Sequence, residues 1–167
     1  MAYFPDSVGC DNWCIKVTYK GRSVNLLRID QSGGAHDISY DAWVYLQTGK
    51  SATEQPLQGG GINMDWQTVA TSECASLIRT PNGGLPLSGA NSMNYVGSCL
   101  GANSNWKYQL YNILNPTCTW GYDETCKLNL AVSNQASCPH QLGVPAVLTS
   151  APVYNIQYGT GKKVLAT

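Results

Sequence analysis

Hydrophobic and polar positions alternate most cleanly after the first dozen residues. Ile15, Val17 and Tyr19 are interleaved with Lys16, Thr18 and Lys20, the two-residue period of a strand with one wet face. Gly21 then turns the chain. Val24, Leu26, Leu27 and Ile29 are denser in apolar residues, as expected of a strand buried on both faces, and this segment ends on Asp30. Gln31 to Ala35 reads as a loop with two glycines. Ala42, Trp43 and Leu46 share one face of a short helix from Tyr40 to Leu46, with Asp37 or Ser39 placed to cap it. A polar, glycine-rich connection over 49–61 leads to a third strand, Asn63 to Val69, with Met64, Trp66 and Thr68 on one face and Asp65 and Gln67 on the other. Residues 1–13 read as a loop entering the first strand.

Beyond Cys74 the pattern loosens. Thr80-Pro81-Asn82-Gly83-Gly84 is turn chemistry and predicts a linker over 77–84. Residues 85–167 hold short strand-like runs: Trp106 to Leu114, Lys127 to Val132, Val144 to Thr149 and Val153 to Tyr158. No internal repeat and no low-complexity block is present.

Composition narrows the class. With ten basic and ten acidic side chains in 167 residues, the chain has no cationic surplus to neutralise phosphates, so nucleic acid is not an expected partner. Its apolar runs are too short to cross a bilayer. Seven cysteines lie in polar, turn-rich segments, which predicts disulfides and an oxidising, extracellular setting. The first residues carry neither the basic nor the apolar region of a signal peptide, and no Asn-x-Ser/Thr acceptor occurs.

Several segments, taken in order, resemble a known superfamily. Cys14 followed by the alternating strand is similar to the cysteine-led strand of cerato-platanins. Ser23-Val24-Asn25-Leu26-Leu27-Arg28-Ile29-Asp30 resembles their strand ending in Ile-Asp, and Asp37-Ile38-Ser39-Tyr40-Asp41-Ala42 stands where their short helix begins. Val69-Ala70-Thr71-Ser72-Glu73-Cys74 resembles their closing segment, while His36-Asp37-Ile38-Ser39 is closer to the His-Phe-Asp-Leu-Ser motif of expansins, without the Phe. The ordered set resembles the barwin-like double-psi β-barrel superfamily of expansins, cerato-platanins and family 45 glycoside hydrolases, over residues 10–76.

The resemblance implies a disulfide between Cys14 and Cys74. It also implies that Cys10 pairs with a cysteine in an N-terminal segment this sequence lacks, which leaves Cys10 alone if the four downstream cysteines pair among themselves. On that reading the chain is truncated relative to the family or a partner chain supplies the first strand; a simple free thiol is the alternative.

Asp37 is the leading chemical candidate. In the hydrolases the corresponding acid protonates the leaving oxygen, which requires a carboxyl held protonated by burial or by a neighbouring acid such as Asp30. The competing role is capping of the helix. Inverting hydrolysis needs a second carboxylate roughly 6.5–9.5 Å away, and the family's base lies on the strand that is missing here, so binding without cleavage is expected. Trp13, in a loop beside two cysteines, is a candidate sugar-stacking ring, whereas Trp43 and Trp66 fall on apolar faces and read as core. Trp106, Tyr108 and Trp120 are either a flat binding strip or core. Cys118, Cys126, Cys138 and His140 match no common zinc spacing, so no metal is expected. His36 and His140 are the only histidines, and Gly59-Gly60-Gly61 precedes no helix, so it is no phosphate loop.

The expectation is an all-β protein: a double-psi β-barrel over 1–76 lacking its usual first strand, then a disulfide-bearing β-rich extension over 85–167. The resemblance implies an extracellular, fungal-type, cell-wall-associated protein that binds cellulose- or chitin-type polysaccharide without hydrolysis, through Asp30, His36, Asp37 and Trp13, with no cofactor and no membrane partner. Two alternatives stand beside it. One is a divergent family 45-like endoglucanase using Asp37 as general acid. The other is a secreted effector, elicitor or structural assembly protein.

Overall fold

The first element is one the sequence does not announce. In the computed structural model, which describes residues 1–91 and 93–167, Ala2–Phe4 form strand β1. Ala2 and Phe4 are buried and Tyr3 is half-buried, so the strand is amphipathic but too short for its period to be read. Pro5 follows it immediately. The predicted loop over 1–13 is thus corrected in its first residues. β1 lies between β3 (Arg22–Gln31), to which it is parallel, and β4 (Asp37–Ile38), to which it is antiparallel.

The two strongly patterned segments fold as expected. β2 (Cys14–Tyr19) pairs antiparallel with β3, and β5 (Asp65–Thr68) pairs antiparallel with β2, giving a five-stranded mixed sheet in the order β4-β1-β3-β2-β5. Ile29 is exposed, so β3 is not buried on both faces along its whole length. Helix α1 (Tyr40–Thr48) buries Ala42, Val44 and Leu46 and stops at Gly49 in a left-handed conformation. Its N-cap is Ser39, without a side-chain cap hydrogen bond. Asp37 belongs to β4 and does not cap it. Ala2, Phe4, Ile15, Val17, Leu26, Ala42 and Leu46 form the core.

Two further ties hold this unit. Cys14 and Cys74 are joined across a sequence separation of 60, fastening β2 to a 3-10 helix over Thr71–Leu77. Closing a loop of that length is worth about 4 kcal/mol through the unfolded chain. Arg28, only 4% exposed, donates to the carbonyls of Asp6 and Ser7 and lies 5.8 Å from the Phe4 ring. Its charge on a buried β3 position holds the segment after β1 against the sheet.

The chain forms two units: Met1–Leu77 with Tyr154–Val164, and Ile78–Val153 with Leu165–Thr167. The second unit is built on β6 (Leu85–Ser88), β7 (Tyr108–Ile113) and β8 (Gly121–Cys126), in the order β6-β7-β8. Helix α2 (Asn94–Ala102) is unforeseen in a segment with two glycines, a composition of low helix propensity. Packing carries it: Met93, Val96 and Cys99 recur at helical spacing and are buried, the first two in a core with Leu110, Cys126 and Ala136. The run Lys127 to Val132 is not a strand; only Lys127 bridges, to Ser137. Val144 to Thr149 contributes a single bridge, Val147 to Trp120. Near the C-terminus β9 (Tyr154–Ile156) and β10 (Lys163–Leu165) form a two-stranded sheet. The chain is therefore strand-rich with mixed sheets, and its described residues also form two α-helices and a 3-10 helix.

Six of the seven cysteines are disulfide-bonded. Cys10 is one of them, so the expectation that it waits for a partner outside this sequence is wrong. Cys126 is bonded to Cys138, Cys99 is disulfide-bonded, and the free thiol is Cys118. Cys118 is half-buried; burial first, and the charge of Asp123 second, push its thiol pKa up. No helix among the described residues is long and apolar enough to cross a membrane.

Candidate functional site

One face of the five-stranded sheet opens into a cavity of about 620 Å³. Val17, on β2, forms part of its floor, and Trp66 stands directly across from Val17 on β5, so both side chains project from the same face. β5 is an edge strand whose four residues are all exposed, which leaves one side of the indole open. Trp66 is 38% exposed. Phe4 meets it edge-on at 4.8 Å between ring centroids, and His36 packs 4.6 Å from Phe4 and 5.5 Å from Trp66. These three rings make the first wall.

The second wall is assembled from distant parts of the chain. Tyr40 and Trp43 sit on the first turn of α1 with near-parallel rings 6.3 Å apart, and Tyr158 from the turn after β9 lies 5.1 Å from Tyr40. The hydroxyls of both tyrosines are consumed internally. Tyr40 donates to Leu57 O at 2.7 Å and accepts from the amides of Leu57 and Gly159, each at 3.1 Å. Tyr158 donates to Gly59 O at 2.8 Å and accepts from Gly59 N at 2.6 Å. The wall therefore offers ring faces to an occupant, not hydroxyls. At Gly59 a β-carbon would stand 3.1 Å from the Trp43 ring, so the glycine permits the loop to lie on the indole. Gly60 and Gly61 have nothing within 4 Å of that position and form an open rim.

The polar groups of the cavity are few. Asp37, on edge strand β4, lines it and is exposed, and its carboxylate makes no hydrogen bond or ion pair with any described residue. His36 and Asn63 line it as well, with side-chain nitrogens and oxygens equally without a partner among the described residues. Among the described residues no lysine or arginine lines the cavity.

Of the four residues expected to bind sugar, the structure brings two together, His36 and Asp37. Asp30 does not line the cavity: it lies across Tyr3 from Asp37, two strand spacings or about 10 Å between backbones, and its Oδ1 accepts the Gln31 amide at 2.7 Å. Trp13 is only 9% exposed and its indole N–H donates to Cys10 O at 3.0 Å, so it is a core side chain. Trp43 and Trp66, expected in the core, line the cavity instead. A signal for Trp66 was present in the polar residues around it: Asp65, Gln67 and Thr68 mark a strand with no buried face. Nothing in the sequence points to Tyr158 or Phe4.

The second unit holds another titratable cluster. Glu124 Oε1 accepts from Asn112 Nδ2 at 2.8 Å and from the His140 amide at 2.9 Å, and His140 Nδ1 lies 2.7 Å from Glu124 Oε2. The His140 ring stacks on Tyr122 at 4.0 Å with 3° between planes. Burial alone would raise the Glu124 pKa; the hydrogen bonds from His140 and Asn112, with the attraction of the His140 charge, outweigh it and hold the carboxyl below its usual range. With Cys126–Cys138 beside it, this cluster fastens the segment around His140 onto β8. Cys126, Cys138 and His140 are all engaged in these contacts and do not converge as a ligand set with Cys118. Trp106 and Tyr108 stack on each other at 5.9 Å and pack against the core, while Trp120 is 42% exposed.

The chain matches no protein-family model, no curated protein and no solved structure.

Proposed function

We propose that the first unit is a glycan-binding module of the expansin and cerato-platanin type, a double-psi β-barrel in architecture, acting outside the cell on cellulose- or chitin-type polysaccharide without cleaving it. The observation that carries this reading is the cavity itself. Two walls of aromatic rings flank an open channel, and flat ring faces stack on the apolar faces of pyranose rings while Asp37, His36 and Asn63 supply hydrogen bonds to hydroxyls. The Cys14–Cys74 disulfide and the parallel pairing of β1 with β3 support the barrel assignment. Three disulfides support an oxidising compartment.

Binding is favoured over hydrolysis because glycosidases of both stereochemical classes use a pair of carboxylates. Asp37 is the one carboxylate lining the cavity, and Asp30 and Asp65 lie outside it. The test is co-sedimentation with insoluble cellulose and chitin, run beside an assay for released reducing ends. Retention of the wild-type chain, weakened roughly tenfold by Trp66→Ala and without new reducing ends, is the expected result. Failure to sediment with either polymer overturns the proposal, and reducing ends that vanish in Asp37→Asn establish the endoglucanase instead.

A further inference from the structure

We infer that this groove, if it holds glycan as proposed above, selects its occupant by charge: it takes a glycan carrying protonated amino groups and turns away glycans carrying carboxylates. Three observations converge on this. Among the described residues Asp37 is the sole acidic residue on the lining, and its oxygens are engaged by none of them. Among the described residues no lysine or arginine lines the cavity, so an anionic sugar meets no permanently cationic side chain there. The remaining lining is aromatic on both sides, with Trp66 open on an edge strand and Trp43 and Tyr158 opposite, and aromatic faces attract cations through the negative charge density of their π-systems.

An acidic residue and indole rings on one lining together offer the groups that recognise an organic ammonium. Here the channel is open, so the ammonium is carried on a chain of sugar rings rather than enclosed as a small ion. An amino-sugar ring presents its cation at the ring edge and its apolar face to the indole at once. Charge-assisted hydrogen bonding to Asp37 and stacking on Trp66 therefore act on one residue of the glycan. A uronic acid in the same place sets its carboxylate against that of Asp37 and against the ring faces, with no lysine or arginine among the described lining residues to offset either.

The test is calorimetric titration of the full chain, in mildly acidic buffer that protonates the amino groups, with three β-1,4- or α-1,4-linked tetramers: glucosamine, glucose and galacturonate. The glucosamine tetramer is expected to bind about tenfold more tightly than the glucose tetramer, with galacturonate weakest. Added salt should narrow the gap between the amino and neutral tetramers. Asp37→Asn should collapse that ratio towards one, and Asp37→Lys should reverse the order in favour of galacturonate. Equal affinity of wild-type protein for the amino and neutral tetramers overturns the charge inference and leaves glycan binding standing. A preference that survives Asp37→Asn does the same. Free choline binding as tightly as the glucosamine tetramer overturns the assignment of the ammonium to a sugar, and absence of binding by all three tetramers removes the glycan reading along with this one.

Discussion

Each unit of this protein sets a histidine, a carboxylate and an aromatic ring side by side, and the two sets do opposite things. In the second unit Glu124 is 13% exposed and fully engaged, by the Asn112 amide, the His140 backbone and the His140 ring, while Tyr122 covers the imidazole face. The three hydrogen bonds at Glu124 fasten one stretch of chain to another. In the first unit the neighbours His36 and Asp37 lie on and before an edge strand, the carboxylate is unpaired among described residues, and Trp66 covers only part of what it faces. The residue types are nearly the same. What separates a clasp from a candidate site is whether the polar groups have already found their partners inside the fold.

The two units should differ most in what their disulfides contribute. Replacing Cys14 and Cys74 by serine opens a loop of 60 residues and should cost about 4 kcal/mol in denaturant unfolding. The same change at Cys126 and Cys138, separated by 12, should cost about 3 kcal/mol. Equal or reversed losses would show that chain entropy does not rank the two units. Next in size is a crossed pair of substitutions. Trp66→Ala should weaken polysaccharide binding roughly tenfold as well as removing a ring contact with Phe4, whereas Glu124→Gln should lower the melting temperature and leave sedimentation with polysaccharide unchanged. A Glu124→Gln chain that melts like the wild type would mean the clasp is ornamental.

Acid should reach the two sets differently. The folded Glu124 carboxyl titrates below its ordinary value, so the unfolded chain takes up its proton first as pH falls. The contribution of Glu124 is complete above the ordinary carboxylate pKa, about 4.3, and disappears as pH drops through the depressed folded value. Melting temperature followed against pH should therefore fall less steeply in Glu124→Gln than in the wild type in that acid window. Asp37→Ala, by contrast, should change stability by no more than about 0.5 kcal/mol, the range of surface substitutions that break no contact. The smallest effect concerns the single free thiol. Mass spectrometry after alkylation should add one label per chain, slowly in native buffer because the raised pKa of half-buried Cys118 keeps little thiolate, and quickly in denaturant. Two or more labels would contradict the disulfide set.

Local pattern was enough for β2, β3 and α1, because each repeats its apolar residues at the period of its own backbone over several residues. It was not enough for β1, which has three residues, or for α2, whose glycines argue against a helix and whose stability comes from Val96 and Cys99 being buried. The tryptophans show the same limit most plainly. Trp13 lies among polar residues and is buried, and Trp66 lies on an apolar face and is open, because burial depends on which strand is an edge and where another segment crosses. By itself the sequence determined the strands with a clear period, the oxidised character of the chain and the placing of Asp37 beside His36. Only the tertiary structure decided that Phe4, Trp43, Trp66 and Tyr158 line one cavity with Asp37, since no periodicity in one segment encodes its distance from a residue a hundred positions away.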